Sequence, residues 1–278
     1  METDKKLVSS AELITERDLS EQIKTSTRDS HVRAENTELM LSFQRGQVTL
    51  PQYKLLLCSL HEIYTALEEE MDRNCEHPCV APIYFPSELA RLESIEKDLA
   101  FVYGPEWREK MEVPAATKRY SHRLRQIGKD SPELLVAHAY TRYLGDLSGG
   151  QVLGRIAQKS MGLKSSDGLS FFAFPGVSSP NLFKQLYRSR MNSIELTEEE
   201  RERVLDEACT AFELNIQVFD GLQTLLSQLV DKENMSESTQ VNSTAHMQKH
   251  VISVFPRLRM FVGLFVALVT VTMGVYAY

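Results

Sequence analysis

Four glycines interrupt a stretch that otherwise has the makings of a long helix, and two charged residues stand beside them. The run Pro132–Met161 has Ser131 available as a cap, Pro132 in its first turn, and apolar Leu134, Leu135, Ala139, Leu147 and Ile156. Gly145, Gly149, Gly150 and Gly154 fall in its middle. Interior glycines cost roughly 0.5–1 kcal/mol each relative to alanine, so four cost about 2–4 kcal/mol. A helix carries that burden where something must approach its backbone more closely than a Cβ allows. Arg142 and Asp146 are four apart and share a face. Bare main chain flanked by a carboxylate suits a flat ligand. A helix–helix contact through small residues would use the same glycines, and the pattern alone leaves that alternative open.

Other residues of chemical interest are weaker alone. His31 sits at the edge of a stripe of Leu19, Ile23, Ser30, Ala34 and Leu41, bulky at its ends and small in its middle. By itself such a histidine is more often an ordinary half-buried residue than a ligand. Glu35 follows one turn later, and Lys184 and Arg188 share one helix face. Cys75-Glu-His77-Pro-Cys79 lacks a second Cys/His pair nearby and reads as a loop. Four scattered cysteines show no disulfide framework and suit a reducing compartment. A net charge of −7 and the lack of a basic, aromatic-interleaved cluster argue against nucleic acid as a partner.

The elements that must position these residues are helical. Periodicity predicts helices over Glu16–Met40 and Thr49–Asn74, the latter with Tyr53, Leu56, Leu57, Leu60, Tyr64 and Leu67 on one side and Glu68-Glu-Glu70 as a solvated end. Further helices are expected from beyond Pro86 to Phe101, over Pro114–Ile127 and Asn181–Asn192, and from a capping box at Thr197-Glu-Glu-Glu200 to about Leu229. Trp107 belongs to a loop or short turn, and Lys164–Pro180 is irregular with Phe171-Phe-Ala-Phe174 turned inward. No alternating pattern marks a strand. The fold class is all-α: residues 1–15 a flexible start, 16–230 one domain of seven or eight helices, 231–256 a polar linker, and 257–278 a terminal membrane helix. Met260–Tyr278 has no charged residue, and nineteen residues at ~1.5 Å each make roughly 28 Å, enough to cross a hydrocarbon core. Arg257 and Arg259 precede it, which suggests a tail anchor with the rest of the chain in the cytosol.

The string Tyr140-Thr-Arg-Tyr-Leu-Gly-Asp-Leu-Ser-Gly-Gly-Gln151 resembles the distal-helix signature of haem oxygenases. The likeness extends from about Leu19 to Gln228 and includes Val136-Ala-His-Ala-Tyr140 and Phe183-Lys-Gln-Leu-Tyr-Arg-Ser-Arg-Met-Asn192. It implies a single haem oxygenase-like domain in which haem is both substrate and prosthetic group. His31 would be the axial ligand of the iron, with Glu35 fixing its ring. Lys24, Tyr140, Lys184 and Arg188 would meet the propionates. Gly145 and Gly149 would let the helix press close over the ring. Asp146 would relay protons through water alongside Tyr64, Arg142 and Asn215. His138, more than two turns from Asp146, is ranked as structural.

The implied reaction uses O2 and yields biliverdin, carbon monoxide and ferrous iron. No Gly-x-Gly-x-x-Gly or flavin signature is present, so electrons from NADPH would arrive through a partner, the membrane-bound NADPH–cytochrome reductase. Biliverdin reductase would accept the product, and endoplasmic reticulum is the expected membrane. Whether the anchor pairs two copies into a homo-oligomer is left open. The lack of a Cys-Pro dipeptide points to the inducible type. A haem carrier and a silent tail-anchored scaffold stand as alternatives; a di-iron bundle would need two Glu-x-x-His pairs, which the chain lacks.

Overall fold

The computed structural model describes residues 18–245, the side chains of Gln151 and of residues 232–245 excepted. The expected flexible start at 1–15 and the expected anchor at 257–278 lie outside the described residues. The described residues are helices and turns, with no strand among them. In chain order the helices are α1 (Leu19–Ser26), α2 (Arg28–Glu35), α3 (Glu38–Gln44), α4 (Leu50–Arg73), α5 (Pro86–Leu89), α6 (Leu92–Tyr103), α7 (Ala115–Asp130), α8 (Leu135–Ala139), α9 (Gly145–Ser160), α10 (Pro180–Asn192) and α11 (Glu198–Ala245). That is eleven segments among the described residues, against seven or eight expected.

Helix α4 is the central element. Thr49 caps it: Gln52 N–H donates to Thr49 Oγ1 at 3.3 Å, and Thr49 N–H donates to Gln52 Oε1 at 2.9 Å. The six apolar residues predicted for one side are all buried. This face packs on α6 and α7, and Ser59 and Thr117 hydroxyls meet across the α4–α7 contact at 2.9 Å. Cutting a fully buried Leu57 or Leu67 to alanine would cost about 2–5 kcal/mol. Helix α11 opens with the predicted capping box, Glu200 N–H donating to Thr197 Oγ1 at 3.2 Å. It runs past Leu229 into the stretch read as linker, where no glycine or proline stops it before Ala245. The compact unit to which the packing below belongs reaches Lys232.

Two expected helices are broken. Glu16–Met40 divides at Thr27 and again at Asn36-Thr37. Thr25, Ser26 and Thr27 each turn a hydroxyl back onto a carbonyl three or four residues earlier, and Asn36 does so with its side-chain amide and Thr37 with its hydroxyl. Side chains that compete for helical carbonyls loosen the ladder. The long run Pro132–Met161 also divides, into a 3₁₀ turn at Pro132–Leu134, then α8, a π turn at Tyr140–Leu144, and α9. Ser131 does not cap it; its hydroxyl instead accepts from Arg203 at 2.8 Å.

Glu68 and Glu70 correct a further expectation, since neither forms a solvated end. Glu70 is buried and bound by Arg73 at 2.6 Å, and its carboxylate lies where a Cβ on Gly128 would fall. Glu68 Oε1 accepts from the backbone N–H of Arg91 at 2.6 Å and of Leu92 at 3.3 Å, so it caps α6 from another helix. Only Glu69 is exposed. Cys75–Cys79 lies in turns as expected, Cys79 N–H donating to His77 Nδ1 at 3.3 Å, and no set of metal-ligating side chains occurs among the described residues.

Candidate active site

The two glycine pairs of α9 do different work. A Cβ on Gly150 would lie 3.2 Å from the Phe172 carbonyl oxygen, and one on Gly154 would lie 3.0 Å from Phe172 Cβ. These two are absent-side-chain contacts with neighbouring protein. A Cβ on Gly145 would meet nothing within 4 Å, and one on Gly149 only Leu153 Cδ1, from the same helix, at 3.6 Å. Gly145 is exposed. One face of the helix is therefore pressed against a neighbour, and the other is bare main chain open to a guest.

Beside the bare face stands an assembled polar cluster. Arg142 Nη2 donates to both oxygens of Asp146, at 3.0 and 3.3 Å, and Arg142 Nη1 donates to Asn215 Oδ1 at 2.6 Å. The Tyr64 hydroxyl donates to Asp146 Oδ2. Burial works against the Arg142 charge, yet Asp146 and Tyr64 hold its pKa above the ordinary value. Burial first, and Asp146 second, push the Tyr64 hydroxyl well above the usual tyrosine range, so it stays a donor. Arg142 Nε is buried with no hydrogen-bond partner among protein atoms. Four elements contribute to the cluster: α4, the π turn, α9 and α11. Asp146 reaches the surface of the cluster, 19% exposed.

The cluster continues through residues that the sequence did not single out for this purpose. His138, fully buried, has Nε2 2.8 Å from Glu207 Oε1 and Nδ1 3.2 Å from the Tyr120 hydroxyl. A carboxylate only accepts, so Nε2 carries a hydrogen; in the neutral ring Nδ1 then accepts from Tyr120. Burial pushes Tyr120 up to about 12, with Arg142 and an Asn215 hydrogen bond pulling the other way. Arg123 Nε also donates to Glu207 at 3.0 Å. His138 is thus structural, as ranked. Glu207 and Tyr120 carried no sequence signal beyond helical spacing on α11 and α7.

The remaining predicted site residues are placed more loosely. His31 is 58% exposed on α2, its Nδ1 3.6 Å from Glu35 Oε1, too long for a hydrogen bond. Its ring tilts toward Phe212 of α11 with centroids 5.6 Å apart. Lys184 and Arg188 lie together on α10: burial, then the neighbouring guanidinium, lowers the Lys184 pKa. Arg188 faces a groove of about 1120 Å³ between α1 and α10 that Gln22 and Thr25 also line. Lys24 is exposed and paired with Glu21 at 3.3 Å. Tyr140 is half-buried against the core. Asp146, Arg142, Tyr64 and Asn215 are in mutual contact; no such contact joins Lys24 to Lys184 or Arg188.

These residues fit a flat, metal-centred macrocycle. Backbone that a Cβ would cover is left open at Gly145 and Gly149, a buried guanidinium nitrogen waits unpartnered nearby, and an exposed imidazole and two adjacent cations offer an axial ligand and carboxylate partners.

Comparison with known proteins agrees with that reading. A family model described as "Heme oxygenase" matches residues 17–221. A protein named "Heme oxygenase" from Takifugu rubripes is 67% identical over 278 residues, all of both chains. "Heme oxygenase 1" from Homo sapiens is 50% identical over 276 residues, covering 94% of this chain and 96% of its own. The crystal structure of heme oxygenase-1 from a Synechocystis cyanobacterium in complex with heme is 40% identical, with a TM-score of 0.73, over 79% of this chain and 99% of its own. Bare glycine backbone, the Asp146 cluster and likeness along the full length converge: this chain belongs to the haem oxygenase family.

Proposed function

We infer that the protein cleaves haem oxidatively to biliverdin, carbon monoxide and ferrous iron, with haem serving as both substrate and prosthetic group. The bound haem supplies oxygen activation and is itself the carbon framework that is opened. The observation that carries the reading is the pairing of open backbone at Gly145 and Gly149 with a carboxylate that Arg142 and Tyr64 hold at its edge.

The chain's own residues have separable tasks. His31 would bind the iron, and Lys184, Arg188, Lys24 and Tyr140 would meet the propionates. Gly145 and Gly149 admit the ring against the main chain and leave no side chain to compete for the oxygen. Asp146, accepting from Arg142 and Tyr64, holds its carboxylate toward the open face, where it can order water and pass protons. Asn215 fixes the Arg142 guanidinium, and Tyr120, His138 and Glu207 support it from behind.

Electrons are proposed to come from NADPH through NADPH–cytochrome reductase, with biliverdin reductase as product acceptor. Met260–Tyr278 is proposed as a tail anchor in the endoplasmic reticulum membrane, with the catalytic domain facing the cytosol; among the described residues no helix is long and apolar enough to cross a membrane. A single-turnover spectrum with haem, O2 and reductant tests the central reading. Loss of the Soret band with appearance of biliverdin and carbon monoxide is expected; a persistent Soret band would make the protein a carrier.

A further inference from the structure

The bare face of α9 has a position only because something holds the opposite face, and that something is a short strap. Residues Ser170–Phe172 form a 3₁₀ turn, after which the chain turns extended at Ala173 and passes to Phe174. The Phe172 main chain and Cβ occupy the space that side chains on Gly150 and Gly154 would need. Along the same strap, Phe171 sets its ring edge-on to Tyr64 with centroids 6.0 Å apart. Phe172 stacks on Tyr53 at 6.2 Å. The strap therefore touches both the helix carrying Asp146 and the tyrosine that donates to it.

Two buried charged side chains from outside the site pin this strap. Asp98 of α6, fully buried, accepts from Ser170 N–H and Phe171 N–H, one per carboxylate oxygen, each at 2.7 Å. Arg91, just before α6 and 3% exposed, donates from Nη1 to the carbonyls of Ala173 and of Phe171, the latter at 3.4 Å. Its Nε donates to Leu89 O at 3.1 Å, and its guanidinium lies over the Phe174 ring, 3.9 Å from the centroid. A carboxylate takes amides at one end, and a guanidinium takes carbonyls at the other. Buried charges that spend their hydrogen bonds on irregular backbone fix its position; leaving such groups unmatched is costly. Neither residue touches the Asp146 cluster through a hydrogen bond.

We propose that Arg91 and Asp98 are positioning residues: by pinning Ser170–Phe174 they set how close the Gly145–Gly149 face stands to the macrocycle, and so which bridging carbon is opened. This rests on the haem-cleaving function proposed above. Helix α9 has the strap on one face and its bare face on the other, where the macrocycle would lie, so a looser strap would let it withdraw or tilt. A helix displaced in this way would shield the edge of the macrocycle less closely, and more than one bridging carbon would be open to oxidation.

The test uses the full chain with Asp98→Asn and Arg91→Lys, and with Leu222→Ala on α11 as a buried, cavity-forming control. Without haem, amide hydrogen exchange over residues 145–160 should rise about tenfold in the two strap variants, the order expected when a hydrogen bond to a buried charge is lost, and stay at the parent value in the control. With haem, O2 and reductant, the parent and the control should each give one biliverdin isomer, and the strap variants a mixture. Unchanged exchange with a single isomer in a folded strap variant would overturn the proposal. So would the same mixture from the control at matched loss of thermal stability. Should Asp98→Asn not fold, Arg91→Lys, which keeps the charge, decides. A parent chain that forms no biliverdin would overturn the function and the regiochemical half of the proposal together; the haem-free exchange rates would still decide whether the strap holds α9.

Discussion

The two sides of the site are built to different standards. On the Asp146 side, Arg142, Tyr64, Asn215, Tyr120, His138 and Glu207 come from four helices and a π turn, are largely buried, and are joined by hydrogen bonds. On the His31 side, α2 has no buried residue at all. Its ties include an exposed two-pronged ion pair between Arg33 and Glu213, with Nη2–Oε2 at 3.1 Å, the His31–Phe212 ring contact, and a hydrogen bond from Gln44 Nε2 to Glu35 O at 2.9 Å. The contrast suits the two jobs proposed for these sides. Orienting a proton-carrying carboxylate needs rigidity before the substrate arrives, whereas an axial ligand is held in place by the bond it makes.

The sharpest way to break this comparison is at Asp146. Asp146→Ala should bind haem with an unshifted affinity and lose about a hundredfold or more in biliverdin formation under single turnover, the scale of a positioned acid–base group. Undiminished yield would remove Asp146 from the proton path. His31→Ala should do the reverse: its haem complex should lose the parent's axial-ligand spectrum and recover it with added imidazole. Melting of the haem-free protein should be unaltered, because the side chain is 58% exposed and packs on little. A fallen melting temperature would show that α2 is better anchored than its contacts suggest.

Acid should find the buried side first. Burial would raise the Glu207 pKa, but hydrogen bonds from His138 and Arg123 overcome it and hold the carboxyl down to about 2, from an ordinary 4.5. A depressed folded-state pKa contributes stability that is present above the unfolded value and lost as pH falls from about 4.5 toward 2. For a side chain this buried the contribution is about 2–3 kcal/mol. Glu207→Gln should lower stability at pH 7 by that order and flatten the acid limb of a denaturation series below pH 5. A parallel curve, shifted but equally steep, would assign the acid sensitivity elsewhere. The smallest effect belongs to α2: Arg33→Ala should cost below about 1 kcal/mol, since both partners are exposed. A larger loss, measured by chemical denaturation, would contradict the loose attachment described here.

Legibility in the sequence followed the same divide. The buried stripe of α4, the capping box at Thr197 and the run of four glycines were readable because local spacing decides them. Arg142 and Asp146 were readable as a pair, being one turn apart. The breaks at Thr27 and Tyr140–Leu144 were not, because a hydroxyl that bonds its own helix, as Thr27 bonds Ile23 O and Thr141 bonds Ala137 O, looks like any surface serine or threonine. Glu68 read as part of a solvated end since its partner Arg91 lies well along the chain, and Glu70 did so since Gly128, against which its carboxylate packs, lies further still. Tyr120, Glu207, Asp98 and Arg91 were missed for one reason: a buried polar residue is marked only by its distant partners. The helical periodicity could equally not tell which glycines meet Phe172 and which meet open space.

The wide turn at Tyr140–Leu144 works as a phase shifter. A π turn holds one more residue than the α-helical turn it replaces, so everything downstream is rotated by about 100° relative to an unbroken helix. That offset aims Gly145 and Gly149 outward and Gly150 and Gly154 at Phe172. Deleting a single residue there would let the helix run smoothly, with a better hydrogen-bond ladder, while turning Asp146 away from Tyr64. A gain in regular structure would then coincide with a blind site.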